Sequence, residues 1–130
     1  MLKSKNIITA VIILAHGSKE QHIKRVVVAL AKKLSLCFSS KSLIVSYAFL
    51  QFNKPSFEEI VKRIFSKNNP KKIIILPLFV SHGRHTLYDI PKIINNIKRK
   101  YRRVSIKLAL PLGSDAYLVK LLYKRYKEVV

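Results

Sequence analysis

Four histidines stand out in a chain otherwise rich in Lys and Ile: His16, His22, His82 and His85. Three of them follow apolar runs that have the look of strand ends. Ile12 to Ser18 reads IILAHGS, an apolar run entering a His-Gly turn. Pro77 to Pro91 reads PLFVSHGRHTLYDIP, in which the Ile-rich run ending at Leu76 passes into His82, Gly83, Arg84 and His85. Neutral imidazole is a good ligand for first-row divalent metals and a general base near neutral pH. A structural zinc site wants four ligands, so two ring nitrogens from one chain describe an open site instead. The single cysteine, Cys37, permits neither an intrachain disulfide nor a Cys-based zinc cluster, and fits a reducing, cytoplasmic setting. His22 lies a turn into a predicted helix and follows no strand end, which favours surface exposure or core packing over ligation.

The elements that must position these side chains alternate regularly. Ile7 to Leu14 is a near-continuous β-branched run, the pattern of a strand covered on both faces. Ser18 with Gln21 resembles a capping box, predicting a helix from Lys19 to about Leu36. Leu43 to Phe49 is the second predicted strand, and Pro55, Ser56 and Glu59 open a second helix that fades near Asn68, Asn69 and Pro70. Lys72 to Pro77 is the third strand. Asp89, with Pro91 in the first turn, is expected to start a third helix running to about Lys100. Ser105 to Leu110 is the fourth strand, and Ser114 or Asp115 caps a last helix reaching nearly to Val130.

Four β-α units predict an α/β fold, a four-stranded parallel sheet flanked by helices on both faces. Right-handed crossovers leave the flavodoxin-like order 2-1-3-4 as the natural arrangement for such a half-sized unit. Strands one and three are then neighbours, and the winding reverses between them. Ligands bind at the carboxyl ends of strands at such a point. The topology therefore brings His16 and His85 to one crevice, although each alone could be a loop histidine satisfied by backbone or water.

At 130 residues, 49% of them apolar, the chain is expected to form one domain over residues 1–130 with a real core. Its formal charge of +20, from 26 Lys and Arg against 6 Asp and Glu, favours acidic partners such as nucleic acid, anionic lipid or a polyanionic small molecule. Biased codon usage with solvated lysines accounts for the same number. The basic, apolar amino terminus reads as a buried strand and not a signal peptide, because the run is short and leads straight into His16. No stretch is long enough to span a bilayer.

The motifs resemble a known family. His16-Gly17-Ser18, Ala48-Phe49-Leu50 with Pro55-Ser56, Pro77-Leu78-Phe79 leading to Gly83-Arg84-His85 and Asp89-Ile90-Pro91, and Pro111-Leu112-Gly113 are similar in order and spacing to the short sirohydrochlorin chelatases. That resemblance implies insertion of cobalt, iron or nickel into sirohydrochlorin, a tetrapyrrole intermediate on routes to cobalamin and siroheme. It implies a cytoplasmic homodimer without a prosthetic group, the divalent metal being a substrate. It further implies His16 as metal ligand and proton acceptor, and His85 as the second metal ligand. Val80, Ser81, His82, Gly83 and Arg84 would contact the tetrapyrrole, together with a position at or near Asn53. His82 and Lys19 stand where the family varies or prefers another residue.

Three alternatives come from other classes. A histidine phosphatase also places a His-Gly turn after its first strand, but its chemistry calls for Arg before the histidine, where this chain has Ala15. A nucleic-acid-binding α/β domain would explain the charge, yet the basic residues are scattered and no recognition motif interrupts the pattern, so nucleic acid is not expected as a partner. A non-catalytic tetrapyrrole or metal carrier would share most of the same residues.

Overall fold

The computed structural model describes residues 7–81 and 83–130, and of residues 84–87 the backbone alone. Eight elements alternate: β1 (Thr9–Ala15), α1 (His22–Ser35), β2 (Leu43–Phe49), α2 (Phe57–Asn68), β3 (Lys72–Pro77), α3 (Arg84–Lys100), β4 (Ser105–Leu108) and α4 (Ala116–Val129). The strands form one parallel sheet in the order β2-β1-β3-β4. This is the expected topology, with β1 and β3 side by side at its centre.

Alternate residues of each strand serve opposite faces. Ala10, Ile12 and Leu14 of β1 join Ile73 and Ile75 of β3 beneath α2 and α3, which contribute Phe57, Ile60, Val61, Ile64, Ile90 and Ile97. On the other face Ile13 and Ala15 pack with Phe49 under α1, whose Val27 and Ala31 are buried. Helix α4 covers neither face. Among the described residues it buries no side chain.

Strand β2 and strand β3 occupy the predicted ranges, and the Ser56 cap is real: its Oγ accepts from the Glu59 N–H at 3.1 Å. Other boundaries differ. Helix α1 starts at His22, not Lys19, and its N-cap is Gln21 without a side-chain bond. Ser18 cannot cap because it belongs to a turn tied to the β2–α2 loop, where its Oγ accepts from Glu20 N–H at 3.2 Å and its own N–H donates to Asn53 Oδ1 at 2.7 Å. Helix α3 starts at Arg84, five residues before the expected Asp89, with Gly83 as N-cap. Pro91 therefore sits inside the helix. Its missing N–H costs one intrahelical bond, which the apolar stripe of Ile90, Ile94 and Ile97 against the sheet offsets. Strand β4 ends at Leu108 instead of Leu110, although the Ala109 N–H still donates to Ile75 O at 2.9 Å. Strand β1 runs Thr9–Ala15 in place of Ile7 to Leu14, and of the two candidate caps for α4 it is Asp115 that accepts, from Tyr117 N–H at 2.9 Å.

Candidate active site at the ends of two parallel strands

Strand β1 is buried up to Ala15, at 2% exposure, and the next residue, His16, emerges into solvent. The pairing of β1 with β2 continues past both strands: Leu50 N–H donates to Ala15 O at 2.9 Å and Gln51 N–H to His16 O at 3.0 Å. This holds the His16 backbone rigidly while its ring stays free of the core. Gly17 then turns the chain back at φ +96°, a conformation that favours glycine. A Cβ there would stand 1.8 Å from Gln51 O and 3.2 Å from Asn53 Oδ1, so no other residue fits the close approach of the two loops.

The β2–α2 loop supplies the other half of this clamp. Asn53 Oδ1 accepts from Ser18 N–H, Asn53 N–H donates to Gln51 O at 2.8 Å, and Phe52 adopts φ +66° between them. Lys19 Nζ lies 5.6 Å from the centre of the Phe52 ring, within cation–π range. Gln51 Nε2 stands 3.1 Å from His16 Nδ1 and 3.3 Å from Nε2. A neutral imidazole has one acceptor nitrogen, so the amide donates to a single lone pair, the one a metal ion would take.

The third element of the site leaves β3. Leu78 N–H donates to Leu14 O at 2.8 Å, binding the start of this loop to β1. Phe79 O and Val80 O accept from Leu112 and Gly113 N–H at 2.9 and 2.7 Å, binding its middle to the β4–α4 loop. Val80, Ser81 and Gly83 are exposed. Arg84 and His85 occupy the first two positions of α3, where the positive end of the helix dipole favours anionic groups. The sequence placed these two residues in a loop. Their side chains lie outside the described residues, as does His82 altogether.

The backbone thus sets His16 and His85 at the carboxyl ends of neighbouring parallel strands, with Leu14 in register with Pro77. A cleft of about 450 Å³ opens beside His16, lined by Ser18, Glu20, His22, Val26 and Leu78. His22 is exposed, as expected, but it faces this cleft. A second cavity of about 460 Å³, at the β2 edge between α1 and α2, is lined by Val28, Lys32, Tyr47 and Arg63 and by no histidine or cysteine. Of these two, the cleft beside His16 is the one lined by imidazole side chains. Among the described residues no three His, Cys, Asp or Glu side chains converge as a metal cage. Gln51 is the site residue that sequence reasoning missed. Its only signal was the position, two residues past the end of a strand neighbouring β1.

Fold and site together define a parallel α/β protein with an exposed imidazole at its topological switch point. Residues 10–129 match the CbiX family, and the chain belongs to it. It is 36% identical over 124 residues to the sirohydrochlorin cobaltochelatase of Saccharolobus solfataricus, covering 91% of this chain and 93% of that one. Against the sirohydrochlorin cobaltochelatase of Sulfurisphaera tokodaii it is 35% identical over 120 residues, 92% of each. A crystal structure of a cobalamin (vitamin B12) biosynthesis CbiX protein from Marinobacter aquaeolei VT8 superposes with a TM-score of 0.75 at 28% identity, covering 92% of this chain and 95% of that one. The sirohydrochlorin chelatase SirB from Bacillus subtilis subspecies spizizenii, solved in complex with cobalt, shares the fold with a TM-score of 0.82 at 23% identity; the match covers 95% of this chain and 51% of that longer one.

Proposed function

We propose that this protein is a sirohydrochlorin chelatase that inserts a divalent metal ion, cobalt first and iron or nickel as alternatives, into sirohydrochlorin on a route to cobalamin or siroheme. The observation that carries this reading is the exposed His16 imidazole on a rigid strand end beside an open cleft, in a chain that belongs to the CbiX family. Similarity to curated cobaltochelatases over nine-tenths of the chain supports the substrate. The protein works in the cytoplasm as a homodimer. No helix among the described residues is long and apolar enough to cross a membrane.

Metal insertion exchanges two pyrrole N–H protons for one divalent cation, and the cation must shed water as it enters the ring. His16 serves as metal ligand and then as proton acceptor, passing protons to water; His85 is the second ligand. For either role the ring must present a lone pair, so Gln51 has to release His16 when the metal arrives. Sirohydrochlorin is ringed by acetate and propionate carboxylates. Arg84 and the amino-terminal end of α3 meet those carboxylates, while Val80, Ser81, His82, Gly83 and Asn53 line the macrocycle. Asn53 Oδ1 is already engaged by Ser18, which leaves its amide nitrogen for substrate. The net charge of +20 steers the polyanion to the cleft.

An anaerobic absorbance time course with sirohydrochlorin and Co2+, Fe2+ or Ni2+ tests the proposal and ranks the metals. Metallation faster than a protein-free blank is the expected result. A spectral shift on binding with no gain in rate would make the protein a carrier and overturn the enzymatic reading.

A further inference from the structure

The sheet ends on one side at β2, and nothing in that strand guards its outer edge. Edge strands are usually blunted by a charge, a proline or a bulge, because their unpaired amides accept another chain. Strand β2 reads LIVSYAF and pairs with β1 in unbroken register, with none of these devices. Its backbone groups alternate in direction. Ser42 O accepts from Thr9 N–H and Leu50 N–H donates to Ala15 O, both at 2.9 Å, so the even-numbered residues face β1 and the odd-numbered ones face outward. The chain itself shows what this edge accepts. Phe49 N–H donates outward to Pro55 O at 3.0 Å, and Ser56 forms a parallel bridge with Phe49, so the β2–α2 loop fills the edge at that one residue. Among the described residues, the N–H groups of Val45 and Tyr47 meet no backbone partner on that side.

Beyond this edge lies the cavity of about 460 Å³ between α1 and α2. Its floor is β2. Val28 and Ala31 of α1 wall it on one face of the sheet, and Ile60 and Ile64 of α2 wall it on the other. Both helices therefore overhang the strand and leave a slot level with the sheet, where an added strand would lie about 4.8 Å from β2. An extended segment in that slot turns alternate side chains towards α1 and towards α2. Three exposed cations stand along its walls, Lys32 on α1 with Arg63 and Lys67 on α2, and no acidic side chain lines it.

We propose that this slot takes an extended acidic segment of another protein as a fifth strand. Its backbone bonds to Val45 and Tyr47, its apolar side chains enter between the helices, and its carboxylates pair with Lys32, Arg63 and Lys67. A second copy of this chain fits less well. Its own α1 and α2 overhang β2 in the same way, and edge-to-edge pairing would set the same three cations against each other. The slot shares no lining residue with the His16 cleft, so this interaction is separate from metal insertion.

The probe is a fluorescent six-residue peptide alternating Glu and Val, titrated with the full chain at about 0.15 M NaCl and read by polarisation. Its fully N-methylated form keeps the charges but cannot join a sheet. Lys32→Glu and Arg63→Glu reverse one charge on each wall, and Lys98→Glu reverses an exposed charge on α3, outside the slot; circular dichroism checks each fold. The expected result is saturable binding, lost on N-methylation, about tenfold weaker in either wall variant and changed less than about twofold in Lys98→Glu. Amide hydrogen exchange at Val45 and Tyr47 slows when the peptide is bound. Equal binding of the N-methylated peptide, or an equal loss in all three variants, would reduce the effect to attraction by the net charge and overturn the proposal. So would the absence of saturable binding, unchanged exchange at Val45 and Tyr47, or protection of those two amides in the free protein, which would mean that a second copy already fills the slot.

Discussion

The closest packing in the site is at Gly17, where a single methyl group would meet a backbone carbonyl at 1.8 Å. Neither loop can yield, because the Gln51 and Leu50 amides tie one to the other. Gly17→Ala combines this clash with a strained positive φ and should cost about 3–4 kcal/mol, read as a lowered midpoint in urea unfolding. Gln51 gives the opposite kind of prediction. Its backbone holds the loop, whereas its side chain only competes for the His16 lone pair. Gln51→Ala should leave stability nearly unchanged and tighten Co2+ binding up to about fivefold, the worth of a net hydrogen bond of about 1 kcal/mol, measured by titration calorimetry. Weaker binding would show that the amide supports the ligand. His16 was legible in the sequence because an imidazole after an apolar strand is a local signal. Gln51 and the Asn53–Ser18 clamp were not, since both contacts span 35 residues and arise only when β1 and β2 pair.

At the scale of elements, the strands were the most readable part. Leu43–Phe49 and Lys72–Pro77 are short apolar runs preceded by polar residues, and both formed where the pattern placed them. Helix starts were legible only where the capping residue had no competing partner. Ser56 has none and caps α2; Ser18 has the β2–α2 loop and does not cap α1. Ser56→Ala should therefore cost about 1 kcal/mol, a fall of about 3–5 °C in Tm, while Ser18→Ala should cost less, because its backbone N–H makes the tertiary bond. The start of α3 was misplaced for a different reason. Proline favours the first turn of a helix, but Pro91 lies in the second turn or beyond, in a helix whose burial outweighs one missing bond. That correction matters for function, because it moves Arg84 and His85 from a loop onto a helix amino terminus. The cap at Ser114 or Asp115 likewise predicted a last helix without revealing that, among the described residues, it buries no side chain.

For the whole molecule, the order β2-β1-β3-β4 followed from the alternation of elements and the handedness of crossovers, and it is what brings the two histidine-bearing strand ends together. The charge of +20 has no bearing on that topology. If it steers a polycarboxylate, raising the ionic strength from about 0.05 to about 0.5 M should raise the KM for sirohydrochlorin severalfold with little change in kcat, as the screening length shrinks. A KM indifferent to salt would return the lysines to composition alone. The central claim is that the His16 imidazole performs the insertion, and the most direct measurement is the anaerobic rate of cobalt insertion by His16→Ala beside wild type and a protein-free blank. The account predicts a rate falling to that of the blank while the variant keeps its fold and still shifts the sirohydrochlorin spectrum on binding. A folded His16→Ala that inserts cobalt as fast as wild type would contradict it.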